Sequence, residues 1–227
     1  MNYNCSNQII NFLKCTFHSK EILEDFPWRN LPKNKVSPWE VAIGEVLLNR
    51  VSATRVLPIY KELIENYPSP CELSKIEPKE LEKILKSLGL QKKKTNLLIE
   101  LSQMFCYEKE EEKIKKALKK TKGIGKSTYN AIMLFGFEEP VPLMDGVIGR
   151  VLGRIFNLKW KNKVVMDKSA WLLSNKLLSC IISKNLGNPK VFYYFLLDLG
   201  RNFCFRIRPK CEFCPCYKIC SYTHNFA

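Results

Sequence analysis

Apolar residues return every three or four positions along most of this chain, as at Leu57, Tyr60, Leu63 and Ile64, and again at Leu81, Ile84, Leu85 and Leu88. That period is the face of an α-helix, and no alternating run of strand length interrupts it. The chain therefore reads as all-α. The pattern predicts helices over about 5–18, 38–50, 54–66, 78–88, 92–106, 109–120, 127–136, 146–156, 167–183 and 189–202. Proline and glycine mark the breaks: Pro68 to Pro70, Gly89, Gly123 to Gly125, and Pro140 to Pro142.

Two carboxylates disturb this pattern. Glu45 interrupts the apolar run VAIGEVLLN, where Trp39, Ala42, Ile43, Val46 and Leu47 form one stripe. Glu45 shares the neighbouring face with Val41, Leu48 and Asn49, so its carboxyl is expected to be partly desolvated and suited to giving up a proton. A surface ion pair with Arg50 is the structural alternative. Asp145 stands at the mouth of the apolar helix GVIGRVLGRIF, where an N-cap is the ordinary reading. The two roles are compatible, because the positive end of a helix dipole holds a carboxylate ionised for work on a cation or a water.

Upstream of Asp145, the segment KKALKKTKGIGKSTYNAIMLFGF reads as helix, tight turn, helix. Gly123 and Gly125 let backbone amides at the start of the second helix face an anion such as a DNA phosphate, with Lys126 beside them. Taken alone, the two glycines fit a simple interhelical connection at least as well.

Composition narrows the class. With 227 residues, 46% hydrophobic, the chain can bury a sizeable core. No stretch has the apolar length of a membrane span, and the start MNYNCSNQIINFLKC has no basic region before its apolar residues, so neither membrane association nor a signal peptide is expected. A cytoplasmic, nucleoid-associated monomer with reduced cysteines is the expectation, with Cys5, Cys15, Cys71, Cys106 and Cys180 as buried thiols. Thirty-seven Lys and Arg against 22 Asp and Glu leave a formal charge of +15, the footprint of a nucleic-acid binder. Lysine runs such as KKK at 92–94 and KIKKALKKTK at 113–122 fit phosphate contact or solvated helix faces equally.

Four cysteines near the C-terminus, Cys204, Cys211, Cys214 and Cys220, have the spacing C-x6-C-x2-C-x5-C. One loop of that length can present four thiolates inward to an iron-sulfur cube, whereas zinc usually asks for two close pairs. Cys216 lies inside the run but off its rhythm. Arg206, Arg208 and Lys210 fall between the ligand positions and are candidate phosphate contacts, with ordinary solvated charge as the alternative.

Together these residues resemble the HhH-GPD superfamily of helix-hairpin-helix DNA glycosylases, in its endonuclease III and MutY branch with a 4Fe-4S loop. The likeness spans roughly 26–222 and covers FPWR at 26–29, GEVLLNR at 44–50, LGLQ at 88–91, GIGKST at 123–128, LMDGVIGRVLGR at 143–154, DLG at 198–200 and the cysteine quartet. The resemblance implies a six-helix module at 38–145 with its hairpin at about 109–136. It implies a second module from 1–37 and 146–203, closed by the cluster loop 204–220, with double-stranded DNA carrying a mismatch or lesion bound in the cleft between. Asp145 would be the essential aspartate. Bifunctional relatives carry lysine where this chain has Ser127, which implies a monofunctional enzyme that hydrolyses the N-glycosidic bond and leaves an abasic site.

MutY-type adenine glycosylases are similar in pairing that serine with a glutamate at the position of Glu45, which protonates the leaving base. Thymine mismatch glycosylases share the glutamate, usually have tyrosine for the serine, and resemble this chain in the LGLQ turn and in ending just after the cysteine loop. Adenine opposite guanine or 8-oxoguanine is slightly ahead, with thymine or uracil opposite guanine as the alternative. A lyase using Lys126 and a non-catalytic lesion reader are further alternatives. Arg50 and Leu90 are the candidate wedges that fill the gap left by a flipped nucleotide. Two positions depart from the family: Thr121 and Lys122 replace the Leu-Pro before the hairpin glycines, and Val147 replaces the usual Asn or His, removing a polar partner from Asp145.

Overall fold

A computed structural model describes residues 5–19, 23–29, 31 and 35–224; the expected N-terminal span 1–37 includes residues outside this set. Twelve α-helices form, and no β-strand occurs among the described residues. They are α1 (Asn7–His18), α2 (Pro38–Leu48), α3 (Ala53–Asn66), α4 (Pro70–Leu73), α5 (Pro78–Leu85), α6 (Gln91–Tyr107), α7 (Glu111–Lys120), α8 (Lys126–Ala131), α9 (Gly146–Ile155), α10 (Lys168–Ser183), α11 (Pro189–Asn202) and α12 (Ser221–His224). The all-α expectation holds. Periodicity missed the one-turn helices α4 and α12, which are too short to show a repeat. It also missed that α8 continues as a π-helix over Ile132–Gly136.

Chain contacts divide the protein into two units, 25–139 and 1–24 with 140–227. The divisions fall at 24/25 and 139/140 rather than the expected 37/38 and 145/146, and packing explains both shifts. Trp28 lies so close to Gly44 that a Cβ there would sit 2.7 Å from the Trp28 Cβ, so the FPWR segment joins the α2 unit. Ser174 on α10 donates its hydroxyl to the Leu143 carbonyl at 2.7 Å, so the strap before Asp145 joins the other unit.

In unit 25–139, Ser37 and Glu40 form a reciprocal capping box with Pro38 at the first helical position, which starts α2 cleanly. Helix α2 then buries Trp39, Val41, Ala42, Ile43, Val46 and Leu47 against α3, α6, α8 and the π-helix. The other unit is built on the aromatic cluster of Phe12, Phe192 and Tyr193, with α11 packed along α9. Within it, buried Asp198 of the DLG motif accepts the Glu24 amide at 2.9 Å and pairs with Arg201, so that motif fastens the N-terminal segment to α11.

Each unit contains a disulfide, Cys5–Cys180 in one and Cys71–Cys106 in the other. This corrects the reading of those four cysteines as thiols. Their Cα atoms stand 6.0 and 4.8 Å apart, within bonding reach, and residues 175 and 35 apart in sequence carry no sign of that proximity.

Candidate functional site

Asp145 is the N-cap of α9, and its Oδ1 accepts the amides of Ile148 at 2.7 Å and Val147 at 2.9 Å. Burial raises its pKa; the two amides and the nearby Arg150 pull the other way without cancelling the rise. Backbone amides thus orient Asp145 although Val147 offers it no polar side chain. Val147 itself seats on α11, where a Cβ at Gly200 would stand 2.2 Å from the Val147 Cγ1.

Glu45 is partly exposed on α2 between the buried Gly44 and Val46. Ser127 is the second residue of α8, also partly exposed, and α2 packs against α8, so both residues ride on touching helices. Asp145 belongs to the other unit.

The hairpin is ordered without its usual Leu-Pro. Thr121 is buried as the C-cap of α7, and its hydroxyl donates to the Ala117 carbonyl at 3.1 Å. Gly123 takes φ 105, a conformation a side chain would strain, and Gly125 caps α8 with no side chain serving its first amides. Gly123, Gly125 and Lys126 are exposed, so the amide end of α8 is presented outward. The lysine run ahead of the turn divides in use. Lys115 is held by Glu111, Glu112 and Glu139, and Lys113 by Glu110, which withdraws both from phosphate contact.

Arg50 and Leu90 both have left-handed backbones, φ 63 and 54, at the exit of α2 and the entry of α6. Arg50 is exposed and Leu90 is 51% exposed, so neither side chain is taken up by a core.

Cys204, Cys211, Cys214 and Cys220 are unbonded thiols lining one cavity together with Arg154, Phe203, Pro209, Tyr222 and Thr223. The envelope holds about 280 Å³ of unfilled space, part of it open to solvent. Burial and the neighbouring sulfurs push the Cys211 and Cys220 thiols up. Cys216 is fully buried, with its sulfur 3.5 Å from that of Cys15. Arg206, Arg208 and Lys210 are exposed on the same loop.

Three functional candidates escaped the sequence reading. Arg154 bonds the Cys204 sulfur at 3.3 Å and two loop carbonyls, while Arg150 bonds the carbonyls of Cys204 and Gly200. Lys94 is buried beneath the end of α2, bonded to three carbonyls. Its place four residues before the buried Leu98 was the available signal; the KKK run concealed it.

Residues 43–176, more than half of the chain, match the family described as HhH-GPD superfamily base excision DNA repair protein. The thymine-DNA glycosylase of Aeropyrum pernix is 29% identical over 205 residues, covering 89% of this chain and 88% of its own. The adenine DNA glycosylase of Buchnera aphidicola subsp. Baizongia pistaciae is 30% identical over 209 residues, covering 88% of this chain and 54% of its own. The solved structure of a thermostable thymine-DNA glycosylase aligns with a TM-score of 0.78 at 26% identity, over 96% of this chain and 97% of that one.

Proposed function

Because the chain belongs to the HhH-GPD superfamily of base excision DNA repair proteins, we propose that it is a monofunctional DNA glycosylase that flips a mispaired or damaged base from duplex DNA and hydrolyses its N-glycosidic bond. The observation that carries this reading is Asp145, a desolvated carboxylate aimed by two backbone amides. A carboxylate whose charge is poorly compensated in the resting protein gains most when a cation forms beside it. That is the differential stabilisation an oxocarbenium-like sugar needs.

Glu45 protonates the departing base, and Ser127 positions the attacking water. Ser127 cannot form the Schiff base a lysine would, which supports hydrolysis without strand cleavage. The exposed amides of the hairpin and the basic cysteine loop grip phosphates, with the duplex bound by a monomer.

The likeness to a thymine-DNA glycosylase over nearly the whole of both chains supports thymine or uracil opposite guanine as the target. A second reading, adenine opposite guanine or 8-oxoguanine, rests on Ser127 paired with Glu45, as the resemblance to MutY-type enzymes implies, and on the likeness to an adenine DNA glycosylase. Purified protein incubated with T·G, U·G, A·G and A·8-oxoguanine duplexes, then treated with alkali, names the base. Absence of cleavage on every duplex would leave a lesion reader, and borohydride trapping of a protein–DNA adduct would show a lyase acting through Lys126 or another amine.

The four cavity cysteines fit a 4Fe-4S cluster: they remain thiols around one space while four others pair, and Arg154 supplies a hydrogen bond to one sulfur. Cys204, Cys211, Cys214 and Cys220 would hold it, Cys216 would not, and the bound cluster would brace the basic loop.

A further inference from the structure

Lys94 has a place that neither the hairpin nor the carboxylates explain. Only 5% of it is exposed, and its Nζ donates to the carbonyls of Leu47 at 2.8 Å, Val46 at 3.0 Å and Asn49 at 3.1 Å. Three ammonium hydrogens thus meet three carbonyls at the end of α2, one of which, that of Val46, also takes the Asn49 amide at 3.4 Å. Its backbone amide donates to the Leu90 carbonyl at 3.1 Å. That amide makes the ordinary first-turn bond of α6, so the side chain that reaches the exit of α2, immediately before Arg50, is anchored one turn into the helix that Leu90 opens.

Burying the ammonium is costly, and desolvation draws its pKa down to about 8. Water or a glycine would close a helix end at less expense, so capping alone does not account for a buried charge here. Left-handed backbones at non-glycine residues persist where their surroundings hold them, and the Lys94 ammonium holds the carbonyl next to Arg50 from the first turn after Leu90.

We infer that Lys94 is a positioning residue for base extrusion: from the first turn of α6 its ammonium clasps the end of α2, so that Arg50 and Leu90 enter the duplex together, at a set separation. This rests on the proposed base-flipping glycosylase and adds a residue that touches neither DNA nor the reacting atoms.

The test places 2-aminopurine beside the target base and follows its fluorescence, the single-turnover release rate and the affinity for undamaged duplex. Lys94→Met should lower both the fluorescence rise and the release rate by about tenfold or more, with affinity changed less than about twofold. Lys94→Arg, which keeps a cationic donor, should recover most of the rate. In an Arg50→Ala/Leu90→Ala background, adding Lys94→Met should cost nothing further.

Equal losses in affinity and release, or a full additional loss in that background, would assign Lys94 to stability alone and overturn the inference. If Lys94→Met does not fold, Lys94→Gln, which removes the charge but keeps a donor, measured in both backgrounds supplies the same comparison. A wild-type protein that extrudes the base but releases none sinks the glycosylase reading and leaves the clasp standing. Normal release by Lys94→Met sinks the clasp alone.

Discussion

Arg154 donates to the Cys204 sulfur at 3.3 Å from the helix whose N-cap is Asp145, nine residues earlier. At helical rise the two stand roughly 14 Å apart along one axis, too far for contact but joined by a rigid element. Arg150, between them, bonds the carbonyls of Cys204 and Gly200. The cysteine loop is thus built onto the same helix that aims the aspartate, and bracing the loop steadies that helix.

Arg154→Met should test this joint. Removing the guanidinium leaves the carbonyls of Phe205 and Arg206 and the Cys204 sulfur without their donor. Iron content and visible absorbance of purified protein should fall, and base release should weaken with them. By the same measurement Cys211→Ser should bleach the protein, while Cys216→Ser should retain the chromophore.

Asp145→Asn should abolish base release while preserving duplex affinity, and it should raise the melting temperature. The folded pKa lies above the unfolded value of 3.8, so as pH climbs between the two the native state holds a proton the unfolded chain has lost. Stability falls across that window and stays lower at neutral pH. Asparagine keeps the oxygen that accepts both amides without the charge, so a gain of a few degrees at pH 7 is expected in thermal melts. A variant that melts lower than wild type would contradict the buried-charge argument.

Lys94 carries the opposite sign. Its folded pKa of about 8 lies below the unfolded 10.5, so the native state releases this proton first, and stability attributable to the group rises from pH 8 to 10.5. Lys94→Met should be less stable by about 2 kcal/mol for the carbonyls it strands. Urea midpoints at pH 7.5 and pH 10 should show the gap between wild type and variant widening at the higher pH.

Replacing Cys71 and Cys106 with serine should reduce stability by about 4 kcal/mol, the chain-entropy value for a loop closed across 35 residues. The melting temperature should drop in the non-reduced protein and lie between those of untreated wild type and of wild type treated with dithiothreitol, which opens Cys5–Cys180 as well.

Local signals carried much of this protein. The 3.6-residue period placed the longer helices within a few residues because each buries a stripe against a core, and Asp145 announced a helix start through the short-range chemistry of capping. The cysteine rhythm, the GIG turn and the two anomalous carboxylates were likewise readable, because each is a residue type set against its immediate neighbours.

What stayed hidden depends on approach between distant segments. Nothing near Cys71 points to Cys106, and nothing near Val147 says that Gly200 leaves room for it. Lys94 read as one of three lysines suited equally to phosphate contact or a solvated face, yet its ammonium ends beneath a helix that begins 56 residues earlier in the chain, at Pro38. Periodicity and caps are set by interactions within one or two turns, so the amino-acid sequence determined the helices, the basic hairpin and the list of reactive side chains. Which of those side chains are buried, bonded or left facing outward was decided only when helices far apart in the chain packed together and removed water from some of them.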